Sequence, residues 1–348
     1  AAIVIVNSDG AGEGLNDTTP AAAVGGNTGT TLGAQRLNVF NRAADTLNAT
    51  FDISQPVQVS ANFDPLYCDS FSATLGSAGP AQFHFIYDAG SDSYTVFPDA
   101  LLNQLQNYDV DAGTVDINAN FNSELGQPGC LDGYGWYLGF DAPSGTLNSL
   151  LSVVLHEIIH GMGFLSLLQS NGVSGASYGP DPVYDPYTQL LFDASQGALL
   201  TNLNDTQRAT SILNDGNLVW DGSQTNAQLS GFSAGVNGAR MQMYAPASYE
   251  GGSSVSHFDT DATPNELMEP QYTEFLDSAG LARYLLADIG WTLQTANSAP
   301  VFNSISAQNM NEDTTLDVSL SASDADGDGL SYSIVSAAAD FGASISGS

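Results

Sequence analysis

Residues 144–168 read SGTLNSLLSVVLHEIIHGMGFLSLL. A helix advances about 100° per residue, so positions four apart stack on one face. His156 and His160 therefore aim two imidazoles at one point, with the carboxylate of Glu157 on the neighbouring azimuth. Two histidines at that spacing beside a glutamate suit a zinc ion and a general base for its water. Ser144 or Thr146 can cap the start, and apolar residues from Leu147 to Met162 give the helix a wide hydrophobic surface. Such a surface predicts burial, which supplies the dry surroundings a catalytic metal needs. Gly161 and Gly163 follow the second histidine, where glycine can take the left-handed conformation that ends a helix. A core helix carrying these three polar groups by accident would have to bury them unpaired, which is costly.

Outward from this helix, strands and helices mix. AAIVIV at the start reads as a short strand, and residues 11–31 are rich in Gly, Asn, Asp and Thr, a loop composition. Residues 32–48 have the period of an amphipathic helix. Residues 56–63 and 81–89 alternate as strands, 100–106 suits a short helix, and 115–122 (VDINANFN) suits another strand. His84 sits mid-strand and reads as a structural histidine. Residues 169–254 are loop-rich, with short helical pieces expected at 185–193 and 205–213, and residues 278–289 form a helix before Gly290 and Trp291. The order predicts an α+β enzyme with the metal helix delivered after several strands.

Charge narrows the partners. The 348 residues carry 38 acidic side chains against five arginines and no lysine, a net charge of −33. Nucleic acid and anionic membrane both need a basic surface and are excluded as partners. The balance suits a saline or calcium-containing medium, or reflects the compositional habit of the source. No apolar run is long enough for a transmembrane helix. The chain opens at Ala1 without an initiator methionine, as a processed or trimmed product would. Cys68 and Cys130 are the only cysteines, and in a secreted protein they pair as one disulfide, two free thiols being the alternative.

A catalytic zinc has three protein ligands and an open position. HEIIHGMGF together with SHFDTDATPNELMEP (256–270) resembles the leishmanolysin-like branch of the metzincin metallopeptidases. The resemblance implies a two-lobed zincin fold with a mixed β-sheet and an active-site helix. It further implies His156, His160 and His257 as zinc ligands, Glu157 as general base, Gly163 as the chain-reversing glycine and Met268 as the methionine of the turn beneath the metal. The commoner metzincin pattern has its third histidine where this chain has Ser166, so His257 rests on the leishmanolysin-like spacing. Asp181, Asp185, Asp193 and Glu250 are the carboxylate rivals. By the same analogy, residues 115–122 occupy the place of the edge strand that pairs with an extended substrate.

After Trp291 the composition shifts. Residues 294–300 (QTANSAP) read as a linker, and beyond them short alternating runs predict antiparallel β structure. The expected division is a catalytic domain at 1–296 and a partial all-β domain at 297–348, the latter resembling the cadherin-like and Ig-like repeats of secreted bacterial proteins. Asp324, Asp326 and Asp328 resemble the first half of an EF-hand loop, but its twelfth position is Val335 where a bidentate glutamate is required. They are candidates for calcium or for a solvated turn. The expectation is a secreted, monomeric zinc endopeptidase acting on proteins or peptides. The alternative is an extracellular adhesion or matrix-binding protein built on an inactive zincin core.

Overall fold

A computed structural model of the chain describes residues 1–143, 145–295, 300–309, 311, 314–323, 330 and 332. Contacts divide it into two compact units, Ala1–Gln294 and Thr295–Ser348. The fold is mixed α+β, with six α-helices and several small sheets among the described residues.

The largest sheet carries the site. Strands β1 (Ile3–Asn7), β2 (Val57–Asp64), β3 (Gly76–Pro80) and β6 (Ile117–Asn122) lie in the order β1-β2-β6-β3. The pairs β1–β2 and β2–β6 are parallel, and β3 runs antiparallel to β6 with Ala78 opposite Ala119. Alternation along β2 buries Val57, Val59, Ala61 and Phe63, while Gln58, Ser60 and Asn62 remain half-exposed on the other face. Helix α1 (Leu32–Thr50), capped by Thr31, covers the apolar face with Val39, Phe40, Ala43 and Leu47. Phe40 packs edge-on against Phe121 at 4.8 Å and Phe63 at 6.0 Å. Between β3 and β6 the chain forms the hairpin β4 (Phe83–Asp88) and β5 (Ser93–Pro98), then α2 (Asp99–Gln106).

The site helix α3 (Leu150–Gly161) is shorter than its apolar pattern suggests. Residues 147–149 are captured instead as strand β8 (Leu147–Ser149), parallel to β7 (Gly135–Tyr137). The cap is Ser149, whose side chain accepts from the Ser152 amide. Thr146 donates its hydroxyl to the Gly133 carbonyl, and Ser144 lies outside the described residues.

Beyond α3 the chain is loop-rich, as its composition indicates. Residues 205–211 form α4 (Asp205–Ser211), held by an Asn204–Gln207 capping box. The expected helical piece at 185–193 is instead a 3-10 turn, Thr188–Leu190, running into strand Leu191–Asp193. That strand pairs with Leu218–Trp220, so tertiary pairing overrides the local pattern. A short α5 (Ser223–Asn226) precedes the return to the site, and α6 (Ala282–Ile289) closes the unit. The Trp291 indole donates to the Met162 carbonyl at 2.8 Å, tying the chain after α6 to the end of α3. In the second unit Val301–Phe302 pairs antiparallel with Ala322–Ser323. Asp324, Asp326 and Asp328, the calcium candidates, lie outside the described residues.

Candidate metal centre

Helix α3 places His156 and His160 one turn apart, and the chain returns through residues 253–258 to bring His257 against them. The three Nε2 atoms lie 3.0, 3.1 and 3.2 Å from one another. Each ring is oriented from behind. His156 Nδ1 donates to the Leu267 carbonyl at 2.7 Å, His160 Nδ1 to Phe164 at 2.7 Å and His257 Nδ1 to Ser253 at 2.8 Å. With the protons held on Nδ1, three Nε2 lone pairs converge with no hydrogen between them. Burial pushes His156 down to about 4 and His160 to about 3, and holds His257 well below its ordinary value, so the rings stay neutral. Three converging lone pairs form a group that could hold a cation. Zinc fits, since Zn–N bonds of 2.0–2.1 Å in tetrahedral geometry put ligand nitrogens about 3.3 Å apart.

The turns on either side of the histidines explain how they meet. Gly163 has φ +114°, a conformation closed to L side chains, and it reverses the chain so that Phe164 can offer its carbonyl to His160. Immediately after, the Ser166 amide donates to Ser256 Oγ at 3.0 Å and fixes the segment that carries His257. Tyr187 donates its hydroxyl to the Val255 carbonyl, and Phe258, Phe164, Tyr187 and Trp220 pack in sequence behind it. Val255 itself sits at φ +74°, a strained setting for a β-branched residue, two positions before His257. Met268 is fully buried, and its carbonyl accepts from the Phe258 amide while the preceding Leu267 carbonyl holds His156. The turn at Leu267 and Met268 thus braces both the helix and the returning segment.

Glu157 is 8 % exposed and lines the same cleft as the three histidines. Burial raises its carboxyl to about 8, partly opposed by the Ala78 amide of β3. A dication nearby would favour the ionised form. The cleft is also lined by Ser77, Ala78 and Gly79 of β3, by Phe71 and Tyr134, and by Tyr272. The hydroxyl of Tyr272 accepts from the Ser149 amide at the start of α3.

Of the carboxylate rivals, Asp185 accepts from the Leu167 and Thr188 amides, and Asp193 is tied up by Ser195 and Ser211. Glu250 accepts from the Tyr244 hydroxyl, and Asp181 lies in the strand Asp181–Val183. None joins the histidine group among the described residues. Strand β6, expected at the edge, lies inside the sheet, and the edge is β3. The sequence GSAGP has no alternation and no branched residue to reveal it. His84 pairs with Asp99 at 3.1 Å. Cys68 and Cys130 form a disulfide.

No curated protein and no solved structure matches the chain. A family model described as SPBPB7E8-like matches residues 25–217, more than half of the sequence, a span that includes the disulfide, α3 and Glu157 but ends before His257. The chain belongs to the SPBPB7E8-like family.

Proposed function

We propose that this protein is a secreted zinc endopeptidase of the leishmanolysin-like metzincin type, with His156, His160 and His257 as ligands and Glu157 as general base. The observation that carries the reading is the convergence of three neutral, backbone-oriented imidazoles within 3.2 Å in the cleft that also holds Glu157. The free edge of β3 runs along this cleft and suits an extended polypeptide added as a further strand, read through its backbone. The disulfide favours an oxidising, extracellular setting. No described helix is long and apolar enough to cross a membrane.

When bound, zinc supplies Lewis-acid polarisation of the scissile carbonyl and acidifies a water. Glu157 takes the proton from the attacking water and delivers it to the departing amine. Its enclosed setting keeps that proton from bulk solvent. The backbone carbonyls of Leu267, Phe164 and Ser253 keep the imidazoles in the one tautomer that leaves Nε2 free.

The test is hydrolysis of casein or gelatin by wild type and Glu157→Gln, with zinc content measured on both. The expected result is unchanged zinc occupancy at the three histidines and turnover lower by roughly 10²- to 10⁴-fold in the variant. Full activity in Glu157→Gln, or an inert zinc-loaded wild type, overturns the reading.

A further inference from the structure

A second group of metal-ligating side chains lies outside the cleft just described. His84 on β4, Asp99 at the first position of α2 and Asp111 in the loop leading to β6 bring one ligand atom each to within 4.8 Å of one another. His84 has the mid-strand place of a structural histidine, and its Nε2 does meet Asp99 Oδ1 at 3.1 Å. That pairing uses only part of the cluster. Asp99 is buried, its side chain only 1 % exposed, and its second oxygen, Oδ2, has no hydrogen-bond partner. Oδ2 of Asp111 is likewise buried and unpartnered. A buried carboxylate oxygen without a donor costs on the order of 1–3 kcal/mol, more when charged, and the two carboxylates that join His84 in this group carry one each.

The surroundings add negative charge. Asp116 is buried beside the cluster, with its oxygens committed to the Gln58 amide and the Asn103 side chain. Asp109 accepts from the Asp111 amide. His84 is the basic group that faces Asp99. The same loop is pinned to the main sheet, since the Asp116 amide donates to the Gln58 carbonyl of β2 and the Ala81 amide to the Asp116 carbonyl.

We propose that His84, Asp99 and Asp111 form a second, structural binding site for a divalent cation that accepts nitrogen as well as oxygen ligands, zinc being the fitting case. One imidazole and two carboxylates suit a borderline cation better than calcium, which prefers an all-oxygen shell. The 3.1 Å between His84 Nε2 and Asp99 Oδ1 is already close to the roughly 3.4 Å separating two ligand atoms on tetrahedral zinc. The ion displaces the proton shared by that pair, binds Asp99 through Oδ1 in its place, and gives the two orphaned oxygens a counter-charge. Solvent completes its shell on the half-exposed His84 side. Bound there, it clamps the β4–β5 hairpin, the start of α2 and the loop into β6, the elements that connect edge strand β3 to the sheet interior.

The inference is independent of the peptidase reading, and the experiment separates them. Zinc content after dialysis against micromolar zinc should be two ions per chain in wild type and one in His84→Asn/Asp111→Asn. In a variant with His156, His160 and His257 all changed to Ala, added zinc should still raise the melting temperature. That response should vanish when the His84 and Asp111 changes are combined with it. A wild type with one zinc that is lost with the three histidines overturns the site, as does a triple variant that melts at the same temperature with and without zinc. A response to calcium but not zinc also overturns it. A melting temperature raised by Asp99→Asn, with no zinc response in any variant, would identify a proton shared between two carboxyls in place of an ion.

Discussion

A methyl group at position 76 would stand 2.9 Å from Glu157 Cγ and 3.2 Å from both Glu157 Oε1 and Phe121 Cδ1. Glycine there lets β3 press directly against the proposed base, and the absence of a side chain sets where the carboxylate rests. The pressure comes from the stem of Glu157, not from its free end, so it cannot be relieved by rotating the carboxylate alone. Gly76→Ala should therefore displace the base by a few tenths of an ångström or more while leaving the imidazoles in place. Displacements approaching 1 Å can cost about 10²-fold in rate. The expected outcome is turnover on a fluorogenic peptide reduced by roughly 10- to 100-fold, with zinc content retained and the melting temperature little changed. Unaltered turnover would show that β3 does not position Glu157.

At the scale of elements, patterns with an unambiguous period are legible in the sequence and short pieces are not. Helix α1 and strand β2 stand where residues 32–48 and 56–63 predict them, because an apolar stripe or strict alternation leaves one way to bury the chain. Strand β3 is illegible: Gly76-Ser77-Ala78-Gly79-Pro80 becomes extended only because β6 offers it a partner. Likewise α3 loses its expected first turn to a three-residue pairing with β7. The histidine pair on α3 is readable from local spacing, whereas His257 lies 97 residues beyond His160 and emerges only through resemblance or tertiary structure. The disulfide joins the turn after β2 to the turn after β6, and Phe71, Leu131 and Tyr134 from these turns line the cleft. Replacing both cysteines by serine should lower stability by about 2–4 kcal/mol. It should also raise KM for a protein substrate more than it lowers kcat, since the rim loosens while α3 stays fixed. Melting curves and steady-state kinetics on the double variant check this, and an unchanged KM would separate the rim from substrate binding.

At the scale of the molecule, charge governs how stability responds to pH. Arg36, Arg208 and Arg240 are each paired with an aspartate, which leaves most of the 38 acidic residues without a cationic partner. Several carboxyls are also buried: burial raises Glu157 to about 8, Glu266 to about 7 and Asp99 to about 7, the last aided by Asp111 and Asp116. Groups raised in this way bind more protons folded than unfolded, so their contribution is complete at low pH and is lost as pH rises through the folded values. The buried histidines have the opposite sign. Their values are lowered, so the stability they contribute falls away only below the ordinary histidine value of 6.5. Between pH 6.5 and 8.5 the carboxyls therefore act alone, and the melting temperature of chelator-treated, metal-free protein should fall by several degrees in low salt. At 1 M salt the Debye length shrinks to about 3 Å, which removes repulsion among surface acids but not the cost of ionising a buried carboxyl. Part of the fall should persist in high salt and shrink further in Glu266→Gln, as scanning calorimetry at the two pH values would show. A melting temperature that rose across this range would mean that these carboxyls are already ionised and paired in the folded chain.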